Sequence, residues 1–471
     1  MRLLARMAVA GVCSAAAGFL FAQSAPITPD RPWHGSAERV PASGVRIETD
    51  KVYALADLID FAETHNPGTR VAWENARAQA AQLGIARSEL YPAMAATALA
   101  GVDRSEVPLG SRFYRLTIPD FQVSLELSYT IFDFGARRGR IDAEKARLLA
   151  ANFGFNDVHR QLIYEVSEAY YRLLNAAGQE EAAGANLVNA QTVQHAAEER
   201  LENGLATLPD VLEARSATAQ AQYDLQAVLG AERIARGDLA TALGAPASTR
   251  IRVQPLNEVP TPEAVSGTVD EAMLRALEGR PDLQAQAAEI HAAQAERQEA
   301  RAAFYPSMGI TASPALESSF VQQQTLPWGY TTDLVGGVSV NLKWTVFDGG
   351  ARRNRLQQAD ARIHGTQAQL SSTRDKVEDE VWTAYVNVNT ALRQREAATE
   401  LVNAATQSYS AALESYSYGV RNLLDVTNAQ KVLAQARSAD VFARTQVLSA
   451  LADLAFRTGD ALESQATRTH R

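Results

Sequence analysis

Two stretches of the chain nearly repeat one another: "TIFDFGARRGR" at Thr130–Arg140 and "TVFDGGARRNR" at Thr345–Arg355. Each passes from a strand-like apolar end through a Phe-Asp-x-Gly turn into a basic helix start. Working outward, the same offset carries Ala169-Tyr170 onto Ala384-Tyr385, Gly204 onto Gly419, Asp210-Val211 onto Asp425-Val426 and Asp238-Leu239-Ala240 onto Asp453-Leu454-Ala455. Upstream, after a slip of a single residue, Tyr91-Pro92 falls on Tyr305-Pro306 and Pro67 on Pro281. A period this long is not that of a solenoid. It is a duplicated large unit, joined by the Pro-rich linker from Pro246 to about Pro262. The chain divides into a signal peptide (1–22), an N-terminal extension (23–52), a first unit (53–245), a linker (246–270), a second unit (271–459) and a tail (460–471).

Each unit changes its pattern twice. Asn66 to Leu90 is rich in Ala, Gln and Arg and reads as a helix, which Pro92 should end, as Pro306 should in the second unit. Strand-like sequence comes next. In "FQVSLELSYTIF", Phe121, Val123, Leu125, Leu127, Tyr129 and Ile131 are apolar and the residues between them polar. "VSVNLKWTVF" repeats this with Val338, Val340, Leu342, Trp344 and Val346. Alternation this strict predicts strands. Ala93–Val102 and Ser307–Leu316 are weaker strands, set off by turn-rich loops around Pro108-Leu109-Gly110 and Pro327-Trp328-Gly329. On pattern alone these strands suit a soluble sheet with one wet face or a barrel with one face to lipid.

The segments C-terminal to the strands decide between the two. Ala136–Asn203 and Ala351–Tyr418 are proline-free, and as continuous helices each would reach about 100 Å at ~1.5 Å per residue. Ile141, Leu148, Phe155, Leu162 and Ala169 recur every seven residues, and so do Leu356, Ile363, Leu370, Val377 and Ala384. That is coiled-coil spacing, with narrow cores and wet outer faces. Asn203-Gly204 and Tyr418-Gly419 fit helix C-termini. A helix of about half the length returns from Asp210, and the helix before the strands can supply the other half, stacked end to end. Four strands per chain cannot close a hollow barrel, and open edges are not viable in hydrocarbon, so several chains must share one.

Composition agrees with export. Arg2 and Arg6 precede the apolar run Met7–Ala22, which reads as a secretory signal cleaved between Ala22 and Ala25. Losing both arginines takes the net charge from −9 to −11, which argues against nucleic acid as a partner. The only cysteine, Cys13, lies within the signal, and bulky Val12 before it disfavours lipidation; the mature chain then has no disulfide or thiolate chemistry. No later apolar run is long enough for a spanning helix. The seven histidines lack zinc-ligand spacing, no cofactor motif stands out, and Asp133-Phe134-Gly135 spells a kinase tripeptide without the loops that would accompany it. The chain therefore reads as a non-enzyme. Trp344, Trp328, Tyr129 and Phe121 are core residues in a soluble sheet, and near strand ends form an interfacial girdle in a barrel.

With the duplication, the "FD-x-G-A-R-R" junction and "Y-S-x-G-x-R-x-x-x-D-V" at Tyr416–Val426, the chain resembles the TolC-type outer-membrane efflux proteins over nearly all of its mature length. The resemblance implies a mainly α fold with transmembrane β: a homotrimer whose twelve-stranded barrel in outer-membrane lipid continues into a coiled-coil tunnel through the periplasm. It also implies a passive exit duct for tripartite efflux or type I secretion, joined to an inner-membrane transporter by a periplasmic adaptor. Phe132, Asp133, Gly135, Phe347, Asp348 and Gly350 would form the barrel–tunnel junctions, with Arg137 and Arg138 just outside the lipid. Carried over by position, Tyr416 and Arg421 on the inner coil and Asp210 on the outer coil would hold a periplasmic gate, and Asp425 an acidic ring at the entrance. A partly wet Arg–carboxylate link of about 1–2 kcal/mol is weak enough for a partner to break. The chain departs from the pattern at Pro209, which replaces a hydroxyl residue, and at Asn428, which replaces a second ring acid.

Overall fold

The computed structural model describes residues 47–48, 51–262, 264, 267–323 and 329–460. The signal peptide with Cys13, nearly all of the N-terminal extension, Trp328 and the tail beyond Asp460 lie outside the described residues. The first unit comprises β1 (Val52–Tyr53), α1 (Leu55–His65), α2 (Pro67–Ser88), β2 (Ala93–Leu109), β3 (Arg112–Phe132), α3 (Ala136–Glu202) and α4 (Leu208–Ala242). After β4 (Arg252–Val253), the second unit has α5 (Val269–Gly279), α6 (Pro281–Ala302), β5 (Ser307–Ala312), β6 (Ala315–Gln323), β7 (Gly329–Val335), β8 (Val338–Lys343), α7 (Ala351–Ser417) and α8 (Leu423–Thr458).

Helices α3 and α7 are 67 residues each. Helix α3 packs against α2 and α4 of its own unit and against α6 and α8 of the other. The heptad anchors Ile141, Leu162 and Ala169 are buried, as are Val377 and Ala384. Small residues let the helices approach closely: a Cβ on Gly139 would sit 2.8 Å from the Glu299 backbone nitrogen, and one on Gly178 would sit 2.6 Å from a Val441 methyl. The half-length helices meet end to end. Asn66 Nδ2 donates to Ala242 O at 2.9 Å, fastening the end of α4 to the start of α2. The corresponding residue of the second unit is Arg280, and Arg280 Nη1 donates to Arg457 O at 3.4 Å, fastening α8 to α6. One unit makes this joint with a neutral amide, the other with a cation.

That cation anchors a buried charge cluster. Arg280 is 5% and Arg160 2% exposed. Arg280 binds Asp282 at 2.7 Å and Glu380 at 2.8 Å, and Arg457 reaches Glu380 at 3.1 Å. Arg160 binds Asp157 at 2.6 Å and donates to Phe456 O at 2.7 Å, with its guanidinium over the Phe456 ring. The last carbonyls of α8 thus receive positive donors from α3 and α6, which satisfies acceptors that a helix end leaves open. Burial pushes the Asp282 and Glu380 carboxyls up, but the Arg280 guanidinium outweighs it and holds both below their usual range.

Two short helices, α1 and α5, are additions to the elements expected from sequence pattern. Both pack at mid-height: α1 buries Leu58 and Ala62 beside Leu162, Val166 and Tyr170, while α5 buries Ala272 and Ala276 beside Val377 and Val381. The parallel β1–β4 pair ties the linker to the start of the first unit.

Strands β2, β3 and β5 to β8 form one antiparallel sheet. β3 lies between β2 and the β5/β6 path, and β7 and β8 form the far edge. The first hairpin is longer than expected, reaching Leu109 and Arg112. The second departs from expectation: the strand expected over Ser307–Leu316 is cut at Ser313-Pro314, and a further strand, β7, precedes the one expected from Val338 and is separated from it by Gly336-Gly337. Pro314 has no N–H for the ladder. Gly336 has φ +153°, and a Cβ there would sit 2.5 Å from Ser313 O. A Ser313 N to Gly337 O bond of 3.0 Å joins the two breaks, so both strands bend at one level. β8 also stops at Lys343, leaving Trp344, Val346 and Phe347 exposed beyond it. Met94, Phe121, Val123, Leu125, Leu316, Val340 and Leu342 share one face of the sheet, and all are exposed. The other face carries cross-strand hydroxyl pairs, Thr97–Ser124 at 2.6 Å and Thr311–Ser339 at 2.8 Å.

The acids bound by Arg280 have depressed folded-state pKa values, so their contribution is complete above the unfolded carboxylate range and is lost as pH falls through about 4 toward the lower folded values. Arg280→Met should cost about 2–3 kcal/mol near neutral pH, less than for a fully buried pair because the acids are partly wet, and should flatten the acid limb of melting temperature against pH. Gly139→Val, which forces α3 and α6 apart, should lower the melting temperature by a shift corresponding to about 1–3 kcal/mol.

Candidate functional site

Strand hands over to long helix at the two Phe-Asp-x-Gly turns. Asp133 Oδ1 accepts from Gly135 N at 3.1 Å, and Asp133 Oδ2 from Arg137 N at 3.0 Å and Arg137 Nε at 2.8 Å. Asp348 repeats this with Gly350 N at 3.1 Å, Arg352 N at 3.1 Å and Arg352 Nε at 2.9 Å. Burial raises the Asp133 carboxyl, but the Arg137 backbone and side-chain donors prevail and hold it below its usual range. Gly135 and Gly350 take φ +92° and +89°, a left-handed cap that only glycine adopts without strain. The residue before each is also left-handed: Gly349 in the second unit, but Phe134 at φ +52° in the first. Phe134 stacks on Tyr305 at 4.9 Å and meets Phe132 edge-on at 4.6 Å, contacts that offset its backbone cost. The paired arginines do not act alike. Arg137 is turned inward onto Asp133, Glu89 O and Ile131 O, whereas the Arg138 side chain is 86% exposed.

At the opposite end of the helices the α3–α4 and α7–α8 turns come together. Each long helix ends on a left-handed glycine, Gly204 at φ +69° and Gly419 at φ +77°. Leu205 N donates to Arg200 O at 2.7 Å, and Val420 N to Ser415 O at 2.9 Å, closing equivalent C-caps. Each return helix then opens on a side-chain cap. Asp210 Oδ2 accepts from Thr207 N at 2.9 Å and Thr207 Oγ1 at 2.7 Å; Asn422 Oδ1 accepts from Asp425 N at 2.9 Å. The Thr207 bonds, with Arg200 adding, hold the Asp210 carboxyl below its usual range.

The structure brings Tyr416 and Asp210 to the same tip without a direct bond between them. Tyr416 is buried with its hydroxyl unpartnered. Burial pushes its phenol up, with Arg200 pulling the other way and Asp210 adding to the rise. Arg421 is exposed, and its side chain makes no hydrogen bond or ion pair among the described residues. Asp425 is half-exposed on the first turn of α8. Sequence reasoning missed Arg200, which lies between the two tips.

The two hairpins meet along a polar seam. Thr445 Oγ1 donates to Asn175 at 3.3 Å, Gln179 and Ser438 exchange bonds of 2.8 and 2.7 Å, and Gln430 Nε2 donates to Asn186 at 3.3 Å. Within a hairpin the packing is apolar: Ala384, Val388 and Ala391 of α7 against Val447, Ala450 and Leu454 of α8. Apolar packing crosses the same seam, with Val193 and Ala197 of α3 in one buried cluster with Leu433 and Ala436 of α8.

The family model described as outer membrane efflux protein matches residues 58–245 and 273–460, once for each unit. The chain is 30% identical to Protein CyaE of Bordetella pertussis over 407 residues, covering 85% of this chain and 83% of that protein. It is 25% identical to outer membrane protein OprJ of Pseudomonas aeruginosa over 453 residues, 94% of this chain and 92% of that protein. Among solved structures, a membrane protein from Pseudomonas aeruginosa superimposes with TM-score 0.75 at 26% identity, over 90% of this chain and 98% of that one. With the duplication, the one-sided sheet and the paired hairpins already established, these matches show that the chain belongs to the outer membrane efflux protein family and serves as an exit duct in the outer membrane, its long helices lying in the periplasm.

Proposed function

We propose that three copies of this chain close one conduit. The observation that carries this reading is the sheet: a single chain has unpaired edges at β2 and at β7 and β8, one bare apolar face, and strands that lead to the long helices through the Asp133 and Asp348 turns. Unpaired amides have no partners in hydrocarbon, so neighbouring chains must supply them. Two chains would give an eight-stranded barrel, whose interior is just wide enough for side chains to fill; three give twelve strands and room for an aqueous lumen. The apolar face then meets lipid and the Thr97–Ser124 and Thr311–Ser339 face lines the lumen.

In this reading the helix tips are the gate. Asp210 uses only Oδ2 in its cap, and Arg421 is free to reach a neighbouring chain's acid. An Arg421–Asp210 link between chains, with Tyr416 packed behind it, holds the tunnel shut, and Asp425 contributes one carboxylate per chain to the entrance. A periplasmic adaptor and an inner-membrane transporter complete the assembly and open it, for efflux or for type I secretion. No nucleic acid takes part.

Detergent-solubilised protein should have the mass of three chains and conduct in planar bilayers; a water-soluble monomer that does not conduct overturns the reading. Arg421→Ser should raise single-channel conductance, and an unchanged value removes Arg421 from the gate. Asp425→Ala should weaken block by multivalent cations in the same bilayers, because the ring loses one negative charge per chain.

A further inference from the structure

The duplication allows the two tips to be compared residue by residue. Their C-caps are equivalent, but several neighbouring positions differ, and three of those differences bear on the gate. Arg200 corresponds to Ser415, Leu201 to Tyr416 and Ala206 to Arg421. Tyr416 and Arg421 already belong to the gate reading. The third departure, Arg200, lies on the outer hairpin and makes its contacts across to the inner one.

Arg200 Nη1 donates to Tyr416 O at 2.6 Å and to Ser417 O at 3.3 Å, the last carbonyls of α7. Arg200 Nη2 donates to Leu205 O at 3.4 Å in its own turn. The guanidinium carbon lies 4.7 Å from the centre of the Tyr416 ring. One planar cation therefore holds the outer turn, the C-terminal end of α7 and an aromatic face of the inner coil. Each contact favours positive charge: carbonyls at the negative end of a helix dipole, and a ring's π face. Serine at this position, as in the other unit, is too short to span the tips.

The contact is also incompletely satisfied. Arg200 Nε and the Tyr416 hydroxyl are both buried without a partner. Opening the tip hydrates both, which offsets part of what separation loses. Such a contact holds at rest and yields to a modest force.

We propose that Arg200 is the latch that closes each chain's inner hairpin onto its own outer hairpin, a positioning residue for the gate. This rests on the gate reading of Arg421 and Asp210. A between-chain link at Arg421 closes the ring only if each inner hairpin is already drawn in, and Arg200 draws it in within one chain.

The test uses the full-length protein in planar bilayers. Arg200→Ala should raise the open fraction roughly tenfold, the population shift expected from losing one charge-assisted hydrogen bond. Arg200→Gln, neutral and of similar length, should do the same and serves if the alanine variant does not assemble. Arg200→Lys, which keeps the cation and one donor, should recover most of the closed state. Wild-type conductance in Arg200→Ala and Arg200→Gln, with raised conductance in Arg421→Ser, overturns the latch and leaves the gate standing. Wild-type conductance in all three overturns the gate itself. An opening that Arg200→Lys does not reduce also overturns the latch, because it marks loosened packing rather than loss of the cation.

Discussion

A membrane interior offers no hydrogen-bond partners to a backbone, and that constraint shapes this chain more than any single contact. Its four strand paths leave amides unpaired along β2 at one edge and along β7 and β8 at the other. The apolar face between them is covered by nothing among the described residues. In the proposed trimer the sheet is a segment of a closed structure. The duplication answers the same requirement: each unit contributes one hairpin and one pair of coils, and two units make a protomer wide enough for a few copies to complete a ring.

The units are equivalent where geometry is demanding and differ where a task is local. Both junction turns use the same Asp, Gly and Arg atoms at nearly the same distances. At mid-height Asn66 and Arg280 make the same end-to-end joint with different chemistry. The charged version draws Glu380 and Arg457 into a network across α6, α7 and α8, while the neutral one leaves α2 and α4 joined by an amide. Burying Arg160 and Arg280 is costly unless each is well paired, and both are. The C-terminal end of α8 is thus held firmly at mid-height, away from the α7–α8 turn.

Much of the fold is legible from residue order. Period-two alternation locates β3 and β8, and seven-residue spacing locates the long helices, because both patterns extend over many residues. The short helices α1 and α5 escape such a reading because they are only 11 residues each. The capping box of Thr268 and Glu271 at the start of α5 is nevertheless there to be read. The break at Pro314 is hidden inside a weak strand pattern, and β7 is missed because Gly329–Val335 lacks strict alternation. Tyr416, Arg421, Asp210 and Asp425 are placed by family resemblance rather than by any periodicity. Arg200 carries no signal beyond its mismatch with Ser415, since a cation on a coiled-coil helix ordinarily reads as solvated surface. Only the tertiary fold puts it against Tyr416.

The distribution of polarity along the helices indicates how such a tip can open without unfolding. Separating α7 from α8 would expose Val388, Val447 and Leu454 to water, and each apolar side chain exposed costs about 1.5–3 kcal/mol. Separating α3 from α8 exposes Asn175, Gln179, Asn186, Gln430 and Ser438, groups that water satisfies nearly as well as they satisfy one another, together with the smaller apolar cluster of Val193, Ala197, Leu433 and Ala436. In the proposed gate the inner hairpin would move as one body, with Arg280 and Arg160 gripping the C-terminal end of α8. A gate of the proposed kind must hold against leakage and yield to force, and a seam that includes exchangeable hydrogen bonds, with a firm pivot, suits both.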